Sequence, residues 1–225
     1  MKRLLFALVL LLPVLAQADV IRMKCGTVSA DSCNDWYYTR GLNGAPHNPA
    51  GDNSLYYVGF TGAFQRRYAV TFYGVNTSGT VDSAFLKSVW VTTDSTIKPV
   101  CYLYGWKSES ADTILDSTRW VAAYAARTTA VDSMYDSLWA RNTTAFAWAR
   151  TWNVKTIMQE YHDQAWWQLG DTVTFIEEPK AGTTGERSFK PLNYNGGGDS
   201  LIVFFTPGSP PIGGGGTGPR ILLKK

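Results

Sequence analysis

Short stretches rich in aromatic and β-branched residues alternate with turn-forming residues through the middle of this chain. They cover residues 55–60, 68–73, 84–92 and 100–106, and two similar stretches follow at 171–176 and 199–205. Aromatic and β-branched side chains pack well on a pleated surface, whereas the Gly, Asn, Ser and Asp between them favour turns. Short strands at this spacing are typical of an all-β sandwich or barrel.

One later segment has helical rather than strand spacing. Its apolar residues recur at three- and four-residue steps, while polar residues take the other side. Asn153 is suited to cap the start of a helix, and Gly170 stands just beyond its end. The pattern predicts one amphipathic helix over residues 153–167, whereas residues 120–126 are compatible with a strand or short helical turns. The apolar positions of the predicted helix are Val154, Ile157, Met158, Tyr161 and Ala165.

The first 18 residues have the features of a secretory signal peptide. Lys2 and Arg3 precede an apolar run over residues 4–15, and Ala16 and Ala18 place small residues around a cleavage site. The run is shorter than the roughly 20 residues needed to cross a bilayer, which disfavours an uncleaved anchor. We expect a signal peptide at 1–18 and a secreted or surface-exposed protein with no transmembrane segment after cleavage.

The remaining chain divides into a domain and a tail. Residues 19–206 suit one domain with a sizeable core. Residues 207–225 begin with a Pro/Gly-rich stretch that predicts a flexible linker, followed by the short tail Arg220-Ile-Leu-Leu-Lys-Lys225.

Charge and composition argue against a nucleic-acid partner. The formal net charge is +3, and it falls to about +1 without Lys2 and Arg3, which belong to the predicted signal peptide. The basic residues are scattered and form no stripe or patch of the kind that binds phosphate backbones. Aromatic residues make up 14% of the chain, so the domain either packs many rings or exposes some of them to a ligand.

The three cysteines fit an oxidising compartment. Cys25 and Cys33 enclose a short loop, and we predict that they form a disulfide. Cys101 lies in a predicted strand, where a single cysteine is typically a buried small hydrophobe. The spacing supports neither haem attachment nor a structural zinc site.

Three segments carry a resemblance to a known family. They are Val58-Gly-Phe-Thr-Gly62 followed by Arg66 to Phe72, the stretch 81–91, and Trp152 followed by residues 154–167. In order and spacing, the chain over about residues 55–205 resembles the secreted DNRLRE β-sandwich domains, which are related to jelly-roll carbohydrate-binding modules. The resemblance implies an antiparallel β-sandwich of jelly-roll type that is non-catalytic, exported and used for surface attachment, with glycan binding in some members. We therefore expect polysaccharide or a surface glycan as the partner and no catalytic residues.

Two aromatic groups are the candidate ligand-binding residues. Saccharides bind on exposed aromatic rings while neighbouring amide and charged side chains bond to their hydroxyls. The alternative is that most of the tryptophans belong to the core. The candidates are Asn34, Trp36, Tyr37 and Arg40 in one group, and Trp106 and Trp120 in the other.

Enzymatic and metal-binding alternatives have weaker support. The only histidines are His47 and His162, and no G-x-S-x-G motif accompanies them, so a hydrolytic triad is disfavoured. A glycoside hydrolase needs two carboxylates, but the adjacent Glu177 and Glu178 fit a solvated pair better. We expect no obligatory cofactor, although oxygens of Asp31, Asn34 and Asp35 are suited to Ca²⁺. The other carboxylates that a hydrolase could use are Asp112, Asp116, Asp132, Asp136 and Glu160.

The tail suggests a function of another class. A glycine-rich tether followed by Ile221-Leu-Leu223 could add as a strand to the sheet edge of a neighbouring molecule. It could equally be a disordered tail or a recognition signal for export. If it adds as a strand, the protein would be a structural subunit of an extracellular or surface assembly, and its aromatic residues would serve packing.

Overall fold

The computed structural model describes residues 19–24, 33–41, 46–47, 56–61, 64–91, 100–109, 117–134, 148–182, 185–189 and 199–208. These residues form twelve strands and two short helices. In chain order the elements are β1 (Asp19–Lys24), β2 (Cys33–Gly41), β3 (Pro46–His47), β4 (Tyr56–Thr61), β5 (Phe64–Val75), β6 (Thr80–Val91), β7 (Cys101–Trp106), α1 (Ser117–Ala125), β8 (Arg127–Met134), β9 (Trp148–Asn153), α2 (Lys155–His162), β10 (Asp171–Pro179), β11 (Gly185–Phe189) and β12 (Ser200–Thr206).

The strands form two antiparallel sheets. The first has the order β1-β12-β6-β9. In the second, β2 and β10 flank β5, and β7 and β8 continue beyond β10. Strand β4 belongs to the second sheet because it pairs with the start of β5. Strand β11 joins the two sheets, since it pairs with both β4 and β6. This architecture confirms the all-β sandwich, and each of the six stretches predicted as strands from their composition contains a strand.

The main core is apolar and includes large rings. Phe72 of β5 and Phe175 of β10 meet edge to face with ring centroids 6.2 Å apart. Leu86 of β6 and Trp152 of β9 are also fully buried in this cluster. Since one side of a pleated strand faces the core, alternate residues of β7 and β12 are buried, as the two-residue period predicts.

Helix α2 contributes its apolar side to the main core. Ile157, Met158 and Tyr161 are buried, as their spacing predicts. The helix begins at Lys155, so its N-cap is Val154 and not Asn153 as predicted, and Val154 makes no side-chain capping bond. Asn153, the last residue of β9, accepts a 3.2 Å hydrogen bond at Oδ1 from the N–H of Lys155.

Helix α2 ends earlier than predicted, at His162 instead of Trp167. The N–H groups of Gln164 and Trp167 then bond to carbonyls three residues back, which tightens the chain into turns. These turns bring Trp166 and Trp167 back against Tyr161, with ring centroids 6.5 and 5.8 Å apart. Apolar spacing could not distinguish this arrangement from a longer helix, since both place the two tryptophans near the core.

Helix α1 covers part of the second sheet. Its Trp120 and Ala123 pack with Trp106, Ala69 and Ile176 in a second apolar cluster, separate from the main core. In β5 and β10, Ala69 and Ile176 alternate with main-core residues, so α1 lies on the outer face of this sheet.

The first and last described strands meet. Strand β1 begins at Asp19, the residue directly after the predicted cleavage site, and Asp19 pairs with Phe205 near the end of β12. Neither α1 nor α2, the helices of the described ranges, is long and apolar enough to cross a bilayer.

Candidate ligand-binding surface

Alternation along β7 places two tyrosines outside the main core. Cys101 and Leu103 face inward and are fully buried, whereas Tyr102 and Tyr104 point to the opposite face and are half-buried. The centroids of the two tyrosine rings are 6.3 Å apart. They form an aromatic row on the same outer face that α1 partly covers.

Arg127 completes this row from the first position of β8. Its guanidinium lies 3.9 Å from the ring centroid of Tyr124 in α1 and 5.3 Å from that of Tyr104. Its Nη1 donates a 2.7 Å hydrogen bond to the carbonyl of Tyr124. A cation above aromatic rings is attracted by their negative faces. Arg127 is therefore held against two tyrosines while remaining half-exposed.

A buried ion pair supports the row. Arg67 of β5 and Glu178 of β10 place Nη2 and Oε2 3.4 Å apart, with each side chain about nine-tenths buried. The guanidinium of Arg67 also lies 4.9 Å from the ring centroid of Tyr124, whose hydroxyl hydrogen-bonds to Glu178. We call Tyr102, Tyr104, Tyr124 and Arg127 the tyrosine–arginine surface, and Arg67–Glu178 is the ion pair that supports it.

Burial determines the electrostatics of this region. It raises the pKa of Glu178, because the cost of desolvating the carboxylate outweighs its attraction to Arg67 and Arg127 and its hydrogen bond from Tyr124. Burial and the nearby Glu178 also raise the pKa of the Tyr104 hydroxyl. The tyrosine is therefore neutral at physiological pH and can donate a hydrogen bond.

Trp106 and Trp120 do not provide the exposed rings expected of them. They are 5% and 3% exposed and belong to the apolar cluster under α1. The physical reason is that α1 lays Trp120 over the sheet face that carries Trp106. The rings accessible in this region are instead those of the tyrosine–arginine surface.

The other candidate group lies on β2. This strand pairs with β5 in a register that sets Trp36 opposite Ala69 and Tyr37 opposite Tyr68. Asn34 and Arg40 belong to the same strand. The side chains of these four residues lie outside the described part of the structure, so their role in ligand binding stays a prediction.

The disulfide and calcium predictions fall mainly outside the described residues. Cys33 begins β2, but Cys25 and Asp31 lie in the segment that the structure does not describe, as do the side chains of Asn34 and Asp35. Cys101 is fully buried in the main core, as predicted. Within the described ranges, no three His, Cys, Asp or Glu side chains come together as a metal site.

The adjacent glutamates are not the solvated pair that their sequence suggests. Glu177 and Glu178 are 1% and 6% exposed. Since consecutive strand residues point to opposite faces, Glu178 reaches Arg67 on the outer face while Glu177 points into the sandwich beside its pairing partner Tyr68. The hydroxyl of Tyr68 donates a 2.8 Å hydrogen bond to Asp199, so this end of the interior contains buried polar groups.

Two other titratable candidates make contacts that stabilise the fold. Glu160 accepts hydrogen bonds from Lys107 and from the N–H groups of Thr129 and Ala130. His162 lies with Nε2 2.7 Å from Thr77 Oγ1 and Nδ1 3.0 Å from the carbonyl of Gly79. Asp112, Asp116 and Asp136 lie outside the described residues.

The tyrosine–arginine surface was not predicted from the sequence. The Tyr-Leu-Tyr pattern at 102–104 contained a usable signal, because it places two tyrosines on one face of a strand. Tyr124 and Arg127 gave no such signal, since their position depends on α1, which the sequence left ambiguous between strand and helical turns.

Comparisons with known proteins leave the family open. A search with protein-family models finds no match, and neither does a search of curated protein sequences. The resemblance to DNRLRE-type domains therefore stays a prediction.

Proposed function

We propose that the protein is an exported, non-catalytic module that binds polysaccharide through the tyrosine–arginine surface. The observation that carries the proposal is the position of Arg127, stacked on Tyr124 and Tyr104 at a half-exposed site. Export is supported by the predicted signal peptide over residues 1–18.

The chemistry of this surface suits a saccharide. A sugar ring presents C–H groups on its face and hydroxyls around its edge, and half-exposed tyrosines offer an apolar face to the former. Arg127 uses Nη1 for the carbonyl of Tyr124, and its other N–H groups have no partner among the described residues. They are available to hydroxyl oxygens of a ligand, at an orientation that the two tyrosine rings restrict.

The test is a glycan array followed by calorimetry on the secreted full-length chain. Removing the stacking ring with Tyr104→Ala, or the donors with Arg127→Ala, should each weaken binding by about tenfold, which corresponds to about 1.4 kcal/mol. Arg22→Ala is the matched control, because Arg22 is an exposed arginine on β1 in the other sheet. It should leave the affinity unchanged.

Two results would contradict the proposal. One is the absence of binding to any polysaccharide on the array. The other is binding that survives both Tyr104→Ala and Arg127→Ala in variants whose thermal unfolding shows that they are folded, which would move the site elsewhere and return attention to β2.

A second candidate function is that of a structural subunit in an extracellular assembly. The observation that favours it is where the chain leaves the sandwich. Strand β12 ends at Thr206, one residue after the partner of Asp19 in the outermost strand β1, so the tail begins one strand in from an edge of the first sheet. Deleting residues 209–225 should abolish assembly, measured by size exclusion with light scattering, while leaving any glycan binding intact.

A further inference from the structure

The edge strands of the two sheets differ in how their N–H and C=O groups are covered. An edge strand presents N–H and C=O groups that can pair with another strand, and proteins commonly block such edges with charged side chains, bulges or covering elements. The described strands that lie at edges are β1, β2, β8 and β9. Strand β2 is partly covered, because β3 pairs with its residues Thr39 and Arg40 only.

Strand β8 is blocked by a glutamate. The carboxylate of Glu160 accepts hydrogen bonds of 2.9 and 2.7 Å from the successive N–H groups of Thr129 and Ala130. At the same place the pairing with β7 shifts register, which bends the strand. Neither N–H group is available to an incoming strand.

An aspartate of β8 accepts a hydrogen bond from the last N–H group of strand β9. Oδ2 of Asp132, in β8, accepts a 2.8 Å hydrogen bond from the N–H of Asn153. Helix α2 follows one residue later, so the chain turns away from the sheet at this point.

Among the residues that the structure describes, none covers strand β1 in this way. Within the described residues its only hydrogen-bonded neighbour is β12. Val20 is 40% exposed on one face, and on the other face Ile21 and Met23 are only partly buried against the main core. Within the described ranges these apolar side chains are not fully buried, and an added apolar strand would cover them.

The tail begins at the end of β12, the strand that pairs with β1. A Cβ atom on Gly79 would collide with the backbone of Thr206 and Gly208, so the end of β12 packs closely against the turn before β6. Thr206 also donates a 3.0 Å hydrogen bond to Asp82. These contacts hold the end of β12 against β6, on the side away from β1, while the adjacent Phe205 pairs with Asp19 of β1.

We propose that β1 is the acceptor edge for residues 220–225 of a second copy of this chain. This inference rests on the second candidate function and identifies its contact surface. Residues 209–219 can span at most about 40 Å when fully extended, which is enough to reach a neighbouring molecule. Ile221, Leu222 and Leu223 are consecutive, so the added strand places apolar side chains on both faces, matching Val20 on one and Ile21 and Met23 on the other.

The first experiment leaves β1 unchanged and compares two full-length chains, the wild type and a variant with Ile221→Pro and Leu222→Pro. Proline lacks the N–H that strand pairing requires. We expect the wild type to self-associate in light scattering and the variant to be monomeric. Hydrogen exchange of β1 amides should be at least about tenfold slower in the wild type, while exchange in β8 is the same in both.

The second experiment uses matched substitutions on two edges. Val20 and Val131 are exposed valines on β1 and β8, at 40% and 44% exposure. Neighbouring N–H groups of a strand point in opposite directions, so only one of Val20 and Ile21 directs its N–H to the free edge. Val20→Pro and Ile21→Pro are therefore made as two separate variants, and the one that removes the edge N–H should abolish association. Val131→Pro should leave association intact. If the β1 variants do not fold, the exchange comparison still decides the question.

The outcomes separate this inference from the function on which it rests. Tail-dependent association with protection on β2 or any strand other than β1 would overturn the β1 assignment while leaving the subunit function standing. Protection of β1 in a monomer, unchanged on dilution, would mean that the tail adds to its own chain and would overturn the second-copy proposal. If the tail causes no association and does not protect β1, both the β1 assignment and the subunit function are overturned.

Discussion

A Cβ atom on Gly105 would lie 2.6 Å from Cε2 of Tyr161, well inside van der Waals contact. The missing side chain lets α2 press its largest buried ring against β7. The hydroxyl of Tyr161 then lies 2.8 Å from the carbonyl of Trp106 and 2.9 Å from that of Thr174. One glycine therefore allows a helical tyrosine to bridge two neighbouring strands, and burial raises the pKa of this tyrosine far above its ordinary value.

Gly105→Ala adds only one methyl group but should destabilise the protein strongly. The added methyl group has to displace Tyr161 or Ile157, and overpacking of this kind costs about 1–3 kcal/mol in the free energy of unfolding. Urea unfolding measures the change. Gly208→Ala is the control, because its Cβ would make only ordinary contact with Gly79. Equal stability of the two variants would contradict the close packing at Gly105.

Glu160→Gln should lower the free energy of unfolding by about 1–3 kcal/mol at pH 7, because charge-assisted hydrogen bonds to Lys107, Thr129 and Ala130 are weakened. Burial opposes ionisation, but these hydrogen bonds and the attraction of Lys107 together lower the pKa of Glu160 below its ordinary value of 4.5. The stabilisation is present above pH 4.5 and is lost as pH falls through the folded-state pKa.

Chemical unfolding of both chains between pH 3 and pH 7 tests this expectation. The difference in stability between wild type and Glu160→Gln should shrink below about pH 4.5. Glu109→Gln, at an exposed position, is the control and should change stability by less than about 0.5 kcal/mol. A difference that stays constant down to pH 3 would argue against a charged, hydrogen-bonded Glu160.

His162 should make the fold sensitive to mild acid. Burial lowers its pKa, although the hydrogen bond to Gly79 and the charge of Asp163 act in the opposite direction. The unfolded chain therefore binds a proton more readily than the folded protein, so stability decreases as pH falls below the ordinary histidine pKa of 6.5. The decrease should level off below the folded-state pKa.

Thermal unfolding between pH 7.5 and pH 5 measures this loss. His162→Gln should reduce the decrease in Tm over that range, whereas His47→Gln, at the chain's only other histidine, should retain it. If His47→Gln flattened the profile and His162→Gln did not, the assignment to His162 would be wrong.

Arg67→Met should cost about 3–5 kcal/mol, because it leaves the buried carboxylate of Glu178 without its ion-pair partner. Its loss should raise the pKa of Glu178 further. Adding Glu178→Gln to Arg67→Met should recover part of the stability, since the buried charge is then also removed. A double-mutant cycle by urea unfolding measures the coupling, and strictly additive effects would contradict the direct interaction.

The positions of the strands could be predicted because the relevant signal is local. Runs such as 68–73 and 100–106 combine β-branched and aromatic residues with flanking turn residues, and both are strands in β5 and β7. The buried face of α2 was predictable for the same reason. Helix α1 was not, because its alanine-rich sequence contains bulky aromatics that fit either conformation, and packing on the second sheet selects the helix.

The candidate site depended on contacts that no local pattern contains. Trp106 and Trp120 are close in space only because α1 folds over β7, and this contact buries the rings that were expected to be exposed. Arg127 reaches Tyr104 across neighbouring strands. Glu178 finds Arg67 more than a hundred positions away in the chain, which converts an apparently solvated glutamate into a buried ion pair.

By itself, the sequence determined a strand-rich sandwich with an amphipathic helix, because hydrophobic period and turn chemistry act over a few neighbouring residues. Only the tertiary structure decided which aromatic rings remain accessible and which charges are buried. It also decided that Glu160 blocks β8, whereas β1 has β12 as its only hydrogen-bonded neighbour among the described strands. The physical reason is that exposure and edge protection depend on what packs against a residue, and those partners come from distant parts of the chain.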